Sequence, residues 1–390
     1  MRPLRHHLAE DTIDRPDMDR LIRWLKTYPR LTKGKVTVAF ETQWGRWLGR
    51  RHSVFCNSGS SANLLMFDAL RLSGRLRNLK VVVPSVGWAT SIAPAIQLGF
   101  QPLMCEADPD TFGLDLDHLE RLLKRHRPSA VLLVQVLGVP HKMDAVMRLK
   151  RRYGFLLMED ACAAVGAEYH ARKVGTFGDL SSFSYYFGHQ FSTIEGGMVC
   201  TDDKRLADLV LMLRSHGWSK DLNRTTSRAL VRKHHIDDFH SPFVFYIPGY
   251  NLRSTDLNAY IGLGQLKKLH RTVATRRKHH EHYRRRLADR FHVQRSDARS
   301  RSCSISFAML ARDVQERKAV VAALEKAGVE TRIFSAGNLG LHPFWYERHG
   351  KASFPVADRI HHTGLLLPNH PSLSSVDVAG ICDVVLSAVQ

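Results

Sequence analysis

Cysteine is scarce in this chain and never clustered: Cys56, Cys105, Cys162, Cys200, Cys303 and Cys382 lie far apart, with no CxxC spacing. That excludes a zinc-finger ligand set, an iron–sulfur cluster and a disulfide framework, and no metal centre is expected. The thiols read as buried groups in a reducing compartment. Long apolar runs are missing too. The longest, VLLVQVLGV from Val131 to Val139, holds a glutamine and falls short of the roughly 20 residues of a bilayer span, so it reads as a buried strand. The start, MRPLRHHLAEDTIDRPD, has charges where a signal peptide is apolar, which points to the cytoplasm. Internal repeats and low-complexity tracts are absent, excluding solenoids and flexible scaffolds.

Acidic residues are also in short supply: 37 Asp and Glu stand against 57 Lys and Arg, a formal net charge of +20. Such an excess raises nucleic acid as a partner. Much of it is local, however, in Gln265–His292, where Lys267, Lys268, Arg271, Arg276, Arg277, Lys278, Arg284, Arg285, Arg286 and Arg290 face only Glu281 and Asp289. On a helix these charges spread over several faces, the pattern of a solvated surface helix. With no recognition motif beside them, the expectation is no nucleic acid and no membrane, but an anionic small substrate.

What is present is an ordinary globular composition, 44% hydrophobic and 24% charged, over 390 residues. Between Ser53 and Asp202, runs of strand length such as LKVVVPS, AVLLVQV, FLLMED and LSSFSYY alternate with helical patterns such as SANLLMFDALRLSG and MDAVMRLKRRYG. Alternation of this kind predicts an α/β fold with a mainly parallel sheet between helices. From about Gly249 a long helical pattern leads into CSISFAML, VQERKAVVAALEKAG and a last helix near Ser375. The chain therefore reads as a large α/β domain over 1–250, including the N-terminal segment, and a smaller α+β domain over 251–390 that contains the long connecting helix.

Four segments carry candidate chemistry. CNSGSSANL sets Ser58, Gly59, Ser60 and Ser61 before a helix, which makes either a plain N-cap or a phosphate cradle of free amides and hydroxyls. VVVPSVGWATS presents Trp88 in a loop, as core filler or as a plate for a flat ring. FLLMED ends a buried strand on Glu159 and Asp160, where a carboxylate needs a salt bridge, a cap or a cationic ligand group. SSFSYYFGHQFSTIEGGMV supplies Ser184, His189, Glu195, Gly196 and Gly197, and SHGW and IPGYNLRS follow downstream.

Taken in order, from GKVTVAFETQWGRWLG to LLLPNHPSLS, these segments resemble the DegT family of pyridoxal-phosphate enzymes acting on nucleotide-linked keto sugars. The resemblance implies the aspartate-aminotransferase fold (PLP fold type I) and a homodimer with shared active sites. It implies Gly59, Ser60, Ser61 and Ser184 at the cofactor phosphate, Trp88 stacked on the pyridine and Asp160 paired with its nitrogen. Asn251 resembles a residue reaching the phosphate of the neighbouring subunit. His216, Trp218 and Arg253 are candidates for substrate contact, with packing or a surface salt bridge as the alternative. The family usually has Gln or Glu three residues after the aspartate, where this chain has Ala163.

The aminotransferases of that family carry a lysine six residues before the acidic residue of EGG; here that position is His189. The substitution resembles the 3-dehydratase subgroup. An imidazole forms no stable tether to an aldehyde but carries protons near neutral pH. The resemblance implies pyridoxal or pyridoxamine 5′-phosphate as cofactor and His189 and Asp160 as catalytic residues. It implies a nucleotide-linked 4-keto-6-deoxy sugar, with GDP as the nucleotide, losing its C3 hydroxyl, and L-glutamate as amino donor. Two alternatives stand beside this: a nucleotide-sugar 4-aminotransferase using Lys173 or Lys220, neither at the family spacing, and an inactive relative serving as a binding protein.

Overall fold

The computed structural model describes residues 4–389. Helices α1 (Arg15–Leu25) and α2 (Lys35–Leu48) precede an alternating run: β1 (His52–Cys56), α3 (Gly59–Leu72), β2 (Lys80–Pro84), α4 (Ala89–Gln97), β3 (Gln101–Cys105), α5 (Leu116–His126), β4 (Ala130–Val134), α6 (Met143–Tyr153) and β5 (Leu156–Asp160). A short hairpin, β6 (Glu168–Tyr169) and β7 (Arg172–Lys173), leads to β8 (Leu180–Ser184), β9 (Gly197–Thr201), α7 (Lys204–Arg214) and α8 (Arg224–Lys233). The remainder holds α9 (Asp256–Leu287), β10 (His292–Val293), β11 (Ser306–Leu310), α10 (Val314–Ala327), α11 (Pro343–His349), α12 (Pro355–Thr363), β12 (Gly364–Pro368) and α13 (Ser375–Ser387).

Seven strands form the central sheet in the order β1-β9-β8-β5-β4-β2-β3. The pairings from β8 through β3 are parallel, and only β9 runs against its neighbours, so six strands point their carboxyl ends the same way. β4, β8 and β9 are buried at every position, as strands covered on both faces must be. One face packs against α3, α4 and α7 through Leu65, Phe67, Ile92 and Val210. The other packs against α5 and α6 through Leu119, Leu123, Val146 and Leu157. A second, antiparallel sheet of β10, β11 and β12 has its own core with Tyr283, Val320 and Ile381. No helix of the described residues is long and apolar enough to cross a membrane.

Two expectations change. The apolar run beginning at Val131 leaves the sheet at Val134 and turns through Val136–Gly138, with Leu137 at φ 52° and Gly138 at φ 86°. A Cβ on Gly138 would lie 2.1 Å from the Cys303 carbonyl oxygen, so the backbones pass too closely there for a continued strand. The basic helix is not a solvated one either. Arg276, His279 and His280 of α9 are buried, Lys268 pairs with Asp14 and Asp17 at 2.7 and 2.6 Å, and Arg277 pairs with Glu168 at 3.0 Å. A helix lying between two sheets needs inward residues on more than one face, and long basic side chains supply donors there. α9 is also tied to α2, whose first turn lacks a side-chain cap of its own. The buried Asp256 carboxylate accepts from the amides of Gly34, Val36 and Thr37 at 2.7, 3.2 and 2.9 Å instead.

Candidate active site

The carboxyl ends of the co-directional strands deliver side chains to one cleft of about 500 Å³, as expected of an open parallel sheet. Ser58, Gly59 and Ser60 follow β1, Trp88 follows β2, Val136 and Leu137 follow β4, Asp160 ends β5, and Ser184 and His189 come from β8 and the turn beyond it. Arg332 and Ser335 close the cleft from the segment between α10 and α11.

The start of α3 forms its floor. Ser58 caps the helix, its hydroxyl accepting from the Ser61 amide at 3.1 Å, while the first-turn amides of Gly59 and Ser60 have no partner within the helix. The Ser60 and Thr90 hydroxyls meet at 2.8 Å, and a Cβ on Gly59 would lie 2.6 Å from that of Ser184. This is a cradle of amides and hydroxyls that a side chain would fill, at the positive end of a helix dipole. Gly197, the first residue of β9, belongs to the same construction, since a Cβ on it would lie 2.1 Å from the Ser58 carbonyl oxygen.

Asp160 is buried, and its carboxylate accepts from the Asn63 amide at 2.9 Å, the Ser91 hydroxyl at 2.7 Å and the Cys162 amide at 3.0 Å. Ser182 holds Asn63 in turn, at 2.6 Å. All these donors are neutral, so a cationic ligand group in the cleft would meet an uncompensated carboxylate. Glu159 faces away and binds the amides of Gly175, Phe177 and Gly178. Trp88 is 52% exposed, which sets aside the core-filler reading; its ring lies under Arg332, 5.8 Å from the guanidinium.

His189 is half-buried and opens on the cleft. Burial first, then the Arg276 and Arg332 cations, push its imidazole down to about 4, against a bond to the Phe187 carbonyl. At neutral pH it is an uncharged base. Among the described residues no lysine lines the cleft: Lys173 lies over Trp47 and Lys220 over Trp218.

Not every candidate meets here. Ser61 turns toward Ser58, which donates to its hydroxyl at 3.0 Å, and does not line the cleft. His216 and Trp218 sit in an aromatic group with Phe245, outside it. Arg253 donates to Ser215, and Asn251 is exposed. Conversely, Asn63, Thr90, Ser91, Tyr186 and Arg332 line the cleft without a signal in the sequence; each is one polar residue among many until the chain is folded. Around Ala163 the wall is apolar, with Val136, Leu137 and Ile305.

The model of the DegT/DnrJ/EryC1/StrS aminotransferase family matches residues 12–386. The chain is 32% identical to the GDP-4-keto-6-deoxy-D-mannose 3-dehydratase of Escherichia coli O55:H7, over 87% of its length and 89% of that protein's. It is 28% identical to the GDP-perosamine synthase of Caulobacter vibrioides over 95% of each. Among solved structures, E. coli GDP-4-keto-6-deoxy-D-mannose-3-dehydratase with bound hydrated PLP matches with a TM-score of 0.89 at 28% identity, covering 98% of this chain and 100% of that one. A GDP-4-keto-6-deoxymannose-3-dehydratase with a trapped PLP-glutamate geminal diamine matches with a TM-score of 0.88 at 28% identity, covering 97% and 100%.

Proposed function

The chain belongs to the DegT/DnrJ/EryC1/StrS aminotransferase family, and from that premise we propose that it is a pyridoxal-phosphate-dependent 3-dehydratase. Its fold is the aspartate-aminotransferase type, PLP fold type I. The proposed substrate is a nucleotide-linked 4-keto-6-deoxyhexose, GDP-4-keto-6-deoxy-D-mannose by similarity to the dehydratases. The observation that carries the reading is a cleft lined by His189 and by no lysine.

The donor set fits the cofactor. Gly59 and Ser60 amides with the Ser184 hydroxyl suit its phosphate, Ser61 bracing the cap; Trp88 suits the ring face, and Asp160 the protonated ring nitrogen. When bound in its amine form, the cofactor supplies an amine for the sugar ketone and an electron sink. His189 then takes a proton from carbon and returns one to the departing C3 hydroxyl oxygen. Asp160 holds the proton on the ring nitrogen. With no lysine at position 189, water would release the product as a 3-deoxy-4-keto sugar with ammonia, and L-glutamate, leaving as 2-oxoglutarate, would supply the amine for the next turnover. The same proposal takes 1–250 and 251–390 as the two domains of each subunit in a homodimer with shared active sites, with Asn251 reaching the partner's phosphate site and His216, Trp218 and Arg253 meeting substrate.

The test is incubation of purified protein with pyridoxal phosphate, L-glutamate and nucleotide-linked 4-keto-6-deoxy sugars. Loss of one oxygen from the sugar with ammonia release is expected. A gained amine, or a lysine adduct trapped by borohydride, would instead establish the aminotransferase alternative.

A further inference from the structure

Arg276 lies in the C-terminal half of α9, fully buried, and among the described residues no carboxylate pairs with it. An unpaired guanidinium in the interior is costly unless most of its donors are occupied. Here the two amino groups donate to backbone carbonyls on two sides, while Nε–H finds no partner among the described residues. One amino group donates to the carbonyls of Gly188 and His189, at 3.2 and 3.0 Å; the other donates to those of Ile305, at 3.0 Å, and Asn369. The first pair belongs to the turn that carries His189, the second to the segments that enter β11 and leave β12.

The neighbouring residue repeats the device. Gln190, also buried, donates through one amide nitrogen to the Ala163 carbonyl at 2.7 Å and the Cys303 carbonyl at 2.6 Å. Gly188 sits at φ 81°, and a Cβ there would lie 2.6 Å from that of Ala9, so the turn has no room to shift outward.

We propose that Arg276 is a positioning residue that fixes the His189 backbone against the small sheet. This rests on the reading of His189 as the proton carrier. A base beside a cofactor that has no covalent tether must be located by its own backbone, and small misplacements of a reacting group are expensive. Arg276 approaches His189 from α9 and Arg332 from the segment after α10; Tyr186 stacks edge-on from the same turn, and Asp160 and Glu195 line the same cleft.

Arg276→Lys keeps the charge but cannot span four carbonyls. Gly188→Ala disturbs the same bonds from the turn and leaves the guanidinium in place. Each is to be assayed as holoenzyme, with kcat expressed per cofactor-loaded, folded protein. Both are expected to lower kcat about tenfold or more while KM for the sugar stays within about twofold. In ¹⁵N-histidine spectra of protein loaded with pyridoxamine phosphate, the His189 signal, identified by its loss in His189→Asn, is expected to be single in the parent and broadened or split in the variants. Should Arg276→Lys not fold, Gly188→Ala decides. A soluble variant with parental kcat and an unchanged His189 signal overturns the proposal, as does a loss that vanishes on normalisation. Absence of sugar turnover in the parent would overturn the dehydratase reading, and the spectra, recorded without sugar, still decide the positioning role.

Discussion

On the proposed reading, a histidine where a lysine would tether the cofactor confines this site to proton transfer, and two measurements follow at the scale of that residue. His189→Asn keeps a similar volume and removes the base. Turnover should fall about 10²–10⁴-fold while pyridoxamine phosphate still binds, as absorbance titration would report. The pH dependence has a definite sign. The reactive form is the neutral ring, and burial with the Arg276 and Arg332 cations lowers its pKa to about 4. Activity limited by this group should therefore hold as pH falls from neutrality and be lost only as it approaches that value. An imidazole at its ordinary value would already be half protonated near about 6.5. A kcat/KM profile corrected for unfolding separates the two.

At the scale of elements, the start of α3 and the start of α2 show how helices here depend on partners distant in sequence. Gly59→Ala would place a Cβ 2.6 Å from that of Ser184 and 3.1 Å from the Cys162 sulfur, inside the phosphate cradle. The fold should survive, and the dissociation constant for the cofactor should rise about tenfold, equivalent to about 1.4 kcal/mol, read by fluorescence titration. Asp256→Ala acts differently, because it strips the acceptor from the Gly34 amide before α2, from two α2 amides and from the Thr37 hydroxyl. Unsatisfied buried donors cost about 1–3 kcal/mol, so the denaturant midpoint should fall with little change in cofactor affinity. The strand and helix runs of the large sheet were legible from periodicity, whereas the turn at Val136–Gly138 was not. Its cause is the Cys303 backbone, far along the chain.

For the whole molecule, the buried histidines make acid the vulnerable direction. His280 and His370 are both held at about 4, by burial first; the charge of Glu281 opposes this at His280 and Arg276 adds to it at His370. Unfolding restores them to about 6.5, so between these values the unfolded chain binds more protons and stability rises with pH. The denaturation midpoint at pH 5 should lie below that at pH 7, with a slope of at most about 1.4 kcal/mol per pH unit for each histidine. The net charge of +20 adds self-repulsion that grows in the same direction.

The order of the segments around Gly59, Trp88, Asp160, Ser184 and His189 carried the resemblance to the family, and through it the fold type and the cofactor, because motif order is written along the chain. Sequence left open whether Trp88 is filler, which its exposure beside Arg332 decides. It also misread Arg276, taken as one cation of a solvated helix. Only packing between two sheets distinguishes a buried guanidinium from its neighbours, since burial is a property of what lies opposite a residue and not of its place in a run. Asn63, Ser91 and Arg332 entered the cleft for the same reason: the starts of α3 and α4 and the segment after α10 converge in space, and that convergence exists only once the chain has folded.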